Sequence, residues 1–141
     1  MRIDYCIRII LQGNISSLSI YVDFEANMEV IDSIREQVEG NSVILFMKGT
    51  PSQPQCGFSA TAVQALIDCG QRFAYVDVLS NPAIRANLPI YGDWPTFPQL
   101  WVAGELVGGS DIVSEMHKSG ELKQLIDGVI EDAVGAHEED D

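Results

Sequence analysis

The chain has 141 residues, of which 46% are hydrophobic, enough to build the core of one domain. Eight Lys and Arg residues stand against 21 Asp and Glu residues, so the formal net charge is −13. A charge of that sign repels polyphosphate backbones, and nucleic acid is therefore excluded as an expected partner. No apolar run reaches the roughly 18 residues that a membrane-spanning helix needs, so we expect no membrane partner either.

The two ends of the chain differ from its middle in the types of residue they contain and in how these are arranged. Residues 1–27 place β-branched and aromatic residues in two short runs around an LQGN turn, a pattern that is compatible with a hairpin. Two other interpretations stay open: a targeting segment, which the acidic residues disfavour, and sequence upstream of a natural start at Met28. The acidic segment 133–141 is expected to be a solvated tail, frayed from about Val134.

From Met28 onward the pattern is regular. Apolar residues at helical spacing predict helices at 28–40, 57–69, 81–90, 111–116 and 121–130. Runs rich in β-branched and aromatic residues predict strands at 42–47, 72–78, 99–102 and 106–107. The wholly apolar run 42–47 is typical of a strand buried on both faces, whereas Gly49, Pro51 and Pro54 predict a loop over residues 48–55. Strands that alternate with helices before a final hairpin predict an α/β fold, a mixed sheet of four strands flanked by helices on both faces.

Three cysteines, Cys6, Cys56 and Cys69, are odd in number and include no C-x-x-C pair, which indicates free thiols in a reducing compartment. Cys56 follows a proline-rich loop and begins a predicted helix, whose N-terminal dipole favours the thiolate, a nucleophile and a soft metal ligand. The alternative for a free cysteine is a small buried side chain. We expect that role for Cys69, at the hydrophobic end of the same helix, and assign none to Cys6.

Four short motifs are arranged in order along residues 28–132: KGTP at 48–51, CGFS at 56–59, WPTFP at 94–98 and GGSD at 108–111. In order and spacing they resemble the monothiol glutaredoxins of the CGFS type. The resemblance implies a thioredoxin-like fold, glutathione as a ligand and a [2Fe-2S] cluster bound through Cys56. Ser59 lies where dithiol relatives carry a second cysteine. Cys56 therefore cannot release a bound mixed disulfide by forming an internal disulfide. Ser59 is also compatible with a simple backbone hydrogen bond in the first helical turn.

The resemblance assigns five further residues to glutathione. Lys48 points its ammonium at the active site, and Arg85 pairs with the glycyl carboxylate, although a solvated helix residue is the alternative for Arg85. Phe97, before a proline that is cis in this fold, offers its backbone to the cysteinyl unit as an added strand would. Ser110 and Asp111, one of them the expected N-cap, receive the γ-glutamyl carboxylate and ammonium. Capping alone would also explain these two residues.

A [2Fe-2S] cluster takes four ligands, usually thiolates, and this domain offers one exposed cysteine. The resemblance implies a homodimer in which each chain supplies Cys56 and one glutathione thiol, with apo iron-sulfur proteins as recipients and a BolA-like protein as a further partner. A competing interpretation is an enzyme, a glutathione-dependent oxidoreductase that uses Cys56 as its nucleophile. A third is an adaptor with no ligand. The expected compartment is a bacterial cytoplasm, with an organelle matrix as the alternative.

Overall fold

In this computed structural model, the structure describes the backbone of residues 15–139 and the side chains of residues 25–132. The helices of this part are α1 (Ile15–Gly40), α2 (Gly57–Asp68), α3 (Pro82–Tyr91), α4 (Ser110–Ser119) and α5 (Glu121–Glu139). The strands are β1 (Val43–Met47), β2 (Ala74–Asp77), β3 (Gln99–Val102) and β4 (Glu105–Gly108).

The four strands form one mixed sheet in the order β2-β1-β3-β4. Strands β1 and β2 run parallel, joined by the crossover helix α2, whereas β3 runs antiparallel to both of its neighbours, β1 and β4. All five residues of β1 are buried, which confirms the prediction of a strand covered on both faces. The predicted mixed sheet of four strands, in a thioredoxin-like fold, is therefore confirmed.

Alternate side chains of β1 and β3 point to opposite faces of the sheet. Each face therefore has its own hydrophobic core, which helices cover. On one face Leu45 and Leu100 pack with α2, α4 and α5. On the other face Phe46 and Trp101 pack with α1 and α3. Because α2 and α4 pack on the same face, their first residues lie beside the end of β1, and the short sequence motifs lie there.

Of the three interpretations of residues 1–27, the hairpin is wrong where the structure describes it, because Ile15–Gly40 is one continuous helix that passes through Met28. Packing of Ile34 and Val38 in the core anchors the C-terminal part of this helix, and each residue added to an existing helix costs little. Residues 1–14 lie outside the described residues. The division of the chain at Met28 stays a prediction.

The tail was expected to fray from about Val134, but α5 continues to Glu139. Ala133, Ala136 and the glutamates are strong helix formers, which allows α5 to extend beyond its packed part. Residues 140–141 lie outside the described part. Among the helices that the structure describes, none is both long and apolar enough to cross a membrane.

Candidate functional site

A groove of about 810 Å³ lies where β1 ends and where α2 and α4 begin. It is lined by all six of the residues that the motifs single out: Lys48, Cys56, Arg85, Phe97, Ser110 and Asp111. These residues come from five different segments of the chain. The fold therefore brings every predicted site residue to one surface.

Cys56 is the N-cap residue of α2, with extended backbone angles of φ −149° and ψ 136°, and its side chain is partly exposed. The backbone N–H of Ser59 is the main cause that lowers the pKa of the Cys56 thiol. The N–H of Phe58, the charge of Lys48 and the Ser59 hydroxyl act in the same direction, whereas burial opposes them. The first turn of a helix leaves such N–H groups unpaired, so they stabilise a thiolate.

The loop between β1 and α2 folds back on itself and thereby brings Cys56 next to the end of β1. The N–H of Gln55 donates to the carbonyl of Lys48 at 2.9 Å, and the N–H of Gln53 donates to the carbonyl of Thr50 at 3.0 Å. Gly49 has a φ of +93°, and an added Cβ there would lie 2.5 Å from the carbonyl oxygen of Gln53. The fold-back therefore requires glycine at this position.

Asp77, at the end of β2, connects the same loop to the segment that leads into α3. Its Oδ1 accepts the N–H of Gly49 and the N–H of Leu79, both at 2.9 Å, and its Oδ2 accepts the Ser80 hydroxyl at 2.9 Å. These bonds, led by that from Gly49, lower the pKa of the Asp77 carboxyl. Asp77 thus ties the Lys48 side of the groove to the α3 side, which carries Arg85.

The segment before β3 forms the floor of the groove. The Phe97–Pro98 peptide bond, whose isomer the sequence leaves open, is cis. Among the described residues, the N–H and C=O of Phe97 form no hydrogen bond, so both are available to a ligand. Gly109 approaches this segment closely, since an added Cβ would lie 3.4 Å from the Pro98 oxygen and 3.4 Å from the Trp94 indole nitrogen.

Helix α4 begins at Ser110, and its N-cap is Gly109. The prediction that Ser110 or Asp111 is the N-cap is therefore wrong. An added Cβ at Gly109 would touch Pro98 and Trp94 at 3.4 Å, and glycine is tolerated as an N-cap. Because no side chain caps this helix, the N–H groups of its first turn stay free to bind a carboxylate. Ser110 is buried, and Asp111 is exposed.

Two cations face the groove without an internal partner. Within the described residues, neither Lys48 nor Arg85 forms a side-chain hydrogen bond or an ion pair, whereas Arg35 and Lys123 pair with aspartates on their own helices. Arg85 lies on the exposed side of α3, one turn from its start. The groove therefore has a positive side in a chain that is acidic as a whole.

Cys69 differs from Cys56 in its exposure and in the direction in which its pKa is shifted. Its side chain is buried in the core, and burial is the main cause that raises the pKa of its thiol. This confirms the prediction of a structural role, and Cys6 lies outside the described residues. Within the described part, no group of three or more His, Cys, Asp or Glu side chains is arranged to bind a metal ion. Of the two cysteines in the part of the chain that the structure describes, Cys56 is the partly exposed one and Cys69 the buried one.

Two residues that organise the groove are absent from the sequence predictions. Asp77 is a charged residue at the end of an otherwise apolar strand, and Gln99 is a polar residue at the start of another. Gln99 is completely buried. A polar residue inside a predicted strand of a hydrophobic sheet is the signal that would have marked both.

Comparisons with known proteins agree on one family. A family model described as Glutaredoxin matches residues 43–107. Glutaredoxin 4 of Escherichia coli (strain K12) is 66% identical over 96 residues, which are 68% of this chain and 84% of that protein. Glutaredoxin 4 of Buchnera aphidicola (subsp. Acyrthosiphon pisum) is 57% identical over 99 residues, 70% of this chain and 92% of that protein. The solution structure of reduced apo GrxS14 from poplar superimposes with a TM-score of 0.62 at 44% identity, covering 70% of this chain and 91% of that one.

Proposed function

Because this chain belongs to the glutaredoxin family and is a monothiol member of it, we propose that it binds glutathione in the groove and carries a [2Fe-2S] cluster shared between two copies. The observation that carries the proposal is the convergence of Cys56, Lys48, Arg85, Phe97, Ser110 and Asp111 on one groove. The cluster is the cargo, and apo iron-sulfur proteins are its recipients.

The charges of the groove match those of glutathione. The tripeptide has a carboxylate at each end and an ammonium beside one of them. Lys48 and Arg85 offer unpaired cations to the glycyl carboxylate, while the free N–H groups at the start of α4 receive the γ-glutamyl carboxylate. Asp111 lies where it can meet the ammonium. The unpaired backbone of Phe97, between these ends, pairs with the cysteinyl unit as an added strand.

The cluster takes four ligands, usually thiolates, and the described part of one chain supplies only Cys56. A glutathione thiol beside Cys56 raises the number to two, and a second copy of the chain completes four. Apolar side chains line the same groove as the thiol: Phe58 is 64% exposed and Ile112 is 36% exposed. A second copy facing the groove would cover them. A BolA-like protein in place of the second copy, and a bacterial cytoplasm as the compartment, are also part of this proposal, carried by the family resemblance.

Anaerobic reconstitution with iron, sulfide and glutathione tests the proposal. We expect a brown dimer with visible absorption bands, which is lost in Cys56→Ser and when glutathione is omitted. Cys69→Ser is the matched control, since this buried cysteine should leave cluster binding intact. Equal iron binding by Cys56→Ser, or by the wild type without glutathione, would refute the proposal.

The lowered pKa of Cys56 supports a second candidate function, a glutathione-dependent oxidoreductase. In that reaction the Cys56 thiolate attacks the sulfur of a mixed disulfide between a protein and glutathione, and the protein thiolate leaves. A second glutathione then attacks the Cys56 disulfide and releases oxidised glutathione. Fast turnover of a glutathionylated protein by a colourless monomer would favour this function over cluster transfer.

A further inference from the structure

Gln99 is a completely buried amide at the point where the groove floor joins the sheet. Its Nε2 donates to the carbonyl of Trp94 at 2.9 Å and to the carbonyl of Thr96 at 3.3 Å. Its Oε1 accepts the indole N–H of Trp101 at 3.2 Å. One side chain therefore connects two carbonyls of the segment that carries Phe97 to a ring in the core.

The core end of this connection is closely packed. The Trp101 ring lies against the Tyr91 ring with a centroid distance of 5.6 Å. An added Cβ at Gly92 would lie 2.8 Å from a carbon of the Trp101 ring, so the chain leaves this ring no room to shift toward α3. The amide of Gln99 therefore holds the groove floor to a ring that is packed in the core beside α3.

We propose that Gln99 is a positioning residue for glutathione, which holds residues 94–96 so that the unpaired backbone of Phe97 faces the ligand. The inference rests on the proposed function, because it assigns to Gln99 the geometry of the same binding groove. Gln99 itself lies beneath the floor and does not line the groove.

The chemistry of the amide explains why this position requires glutamine. Two carbonyl oxygens need a group with two N–H donors, while the indole N–H needs an acceptor, and the amide offers both. A carboxylate would place oxygen against oxygen, and an apolar side chain would leave two partly buried carbonyls and one buried N–H without their bonds to this side chain. Packing alone would accept methionine, which has nearly the same length.

The test compares Gln99→Met with Leu100→Val, its neighbour on the opposite face of β3. Reduced glutathione is titrated into each protein without oxygen, and NMR follows its binding together with the amide signal of Phe97. We expect Gln99→Met to weaken binding about tenfold and to shift the Phe97 signal, with the pKa of Cys56 unchanged. Leu100→Val should lower the melting temperature but leave the affinity for glutathione as it is.

Trp101→Phe, which removes the donor to Gln99 Oε1 together with part of the ring, provides a second variant should Gln99→Met fail to fold. We expect it to weaken binding about threefold. The inference is overturned if the variants bind glutathione as tightly as the wild type, or if Leu100→Val weakens binding equally. In that case binding by the wild type leaves the proposed function standing. No binding by the wild type would refute both.

Discussion

The hydroxyl oxygen of Ser59 accepts the backbone N–H of Lys48 at 3.1 Å. This bond joins the end of β1, which carries the cation, to the first turn of α2, which carries the thiol. Ser59 is completely buried. The residue that replaces the second cysteine of dithiol relatives thus has a structural role of its own, and its backbone bond is made to the end of β1 rather than within the first turn of α2.

Removal of this hydroxyl should affect both stability and the thiol. Ser59→Ala leaves the Lys48 N–H unpaired in a partly buried position, and we expect the free energy of unfolding to fall by about 1–3 kcal/mol. The pKa of Cys56 should rise, because the Ser59 hydroxyl helps to lower it. Urea unfolding and ultraviolet titration of the thiolate measure the two effects. The exposed Ser52→Ala is the control, and equal effects of both variants would contradict this role.

The charge of Lys48 also lowers the pKa of Cys56. Lys48→Met removes that charge and should raise the pKa, so that a smaller fraction of the thiol is ionised at neutral pH and its alkylation becomes slower. The rate of iodoacetamide alkylation as a function of pH measures this change. Lys118→Met, at the far end of α4, removes an equal charge and should leave the rate profile unchanged. A profile of Lys48→Met that coincides with the wild type would refute the electrostatic role.

Gly49 and Gly128 predict opposite effects of the same substitution. Gly49→Ala adds a Cβ 2.5 Å from a backbone oxygen at a φ of +93° and should destabilise the fold by about 2 kcal/mol or more. Gly128 is exposed in α5 with nothing within 4 Å of an added Cβ, so Gly128→Ala should stabilise the fold by about 0.5–1 kcal/mol. Urea unfolding of both variants checks the signs. A neutral Gly49→Ala would contradict the fold-back of the loop.

Asp77 predicts a specific sensitivity to acid. Its pKa in the folded protein lies below the ordinary value of 3.8, so its contribution to stability is complete above pH 3.8 and is lost as the pH falls through the lower, folded value. Asp77→Asn lacks this titration, and the difference in unfolding free energy between wild type and variant should shrink as the pH falls below about 4. Urea unfolding over a pH series measures it.

The same substitution at Phe58 and at Ile90 distinguishes the loss of a contact between two copies from a general effect of an added surface charge. Both side chains are exposed, at 64% and 74%, but only Phe58 lines the groove. Phe58→Glu should abolish or strongly reduce the cluster-bridged dimer, because it places a buried charge beside a second acidic chain. Ile90→Glu should leave the dimer intact. Analytical ultracentrifugation of the reconstituted proteins distinguishes the two, and equal dimerisation would refute a contact at Phe58.

The sequence alone determined the order of helices and strands from residue 28 onward, and its resemblance to the monothiol glutaredoxins singled out six of the residues that line the groove. Hydrophobic periodicity reports which face of each element is buried, and the motifs mark the strand and helix ends where chemistry is placed. Periodicity failed at residues 15–27, because β-branched residues favour strands locally and a helix continued from a packed neighbour overrides that preference.

Only the tertiary structure decided how the groove is supported. Asp77 acts on Gly49 across 28 residues, and Ser59 acts on Lys48 across 11. Gln99 joins the groove floor to Trp101, and the first turn of α4 has no side-chain cap because its N-cap residue is Gly109. These contacts depend on the packing of elements distant in the chain, whose partners no local pattern specifies.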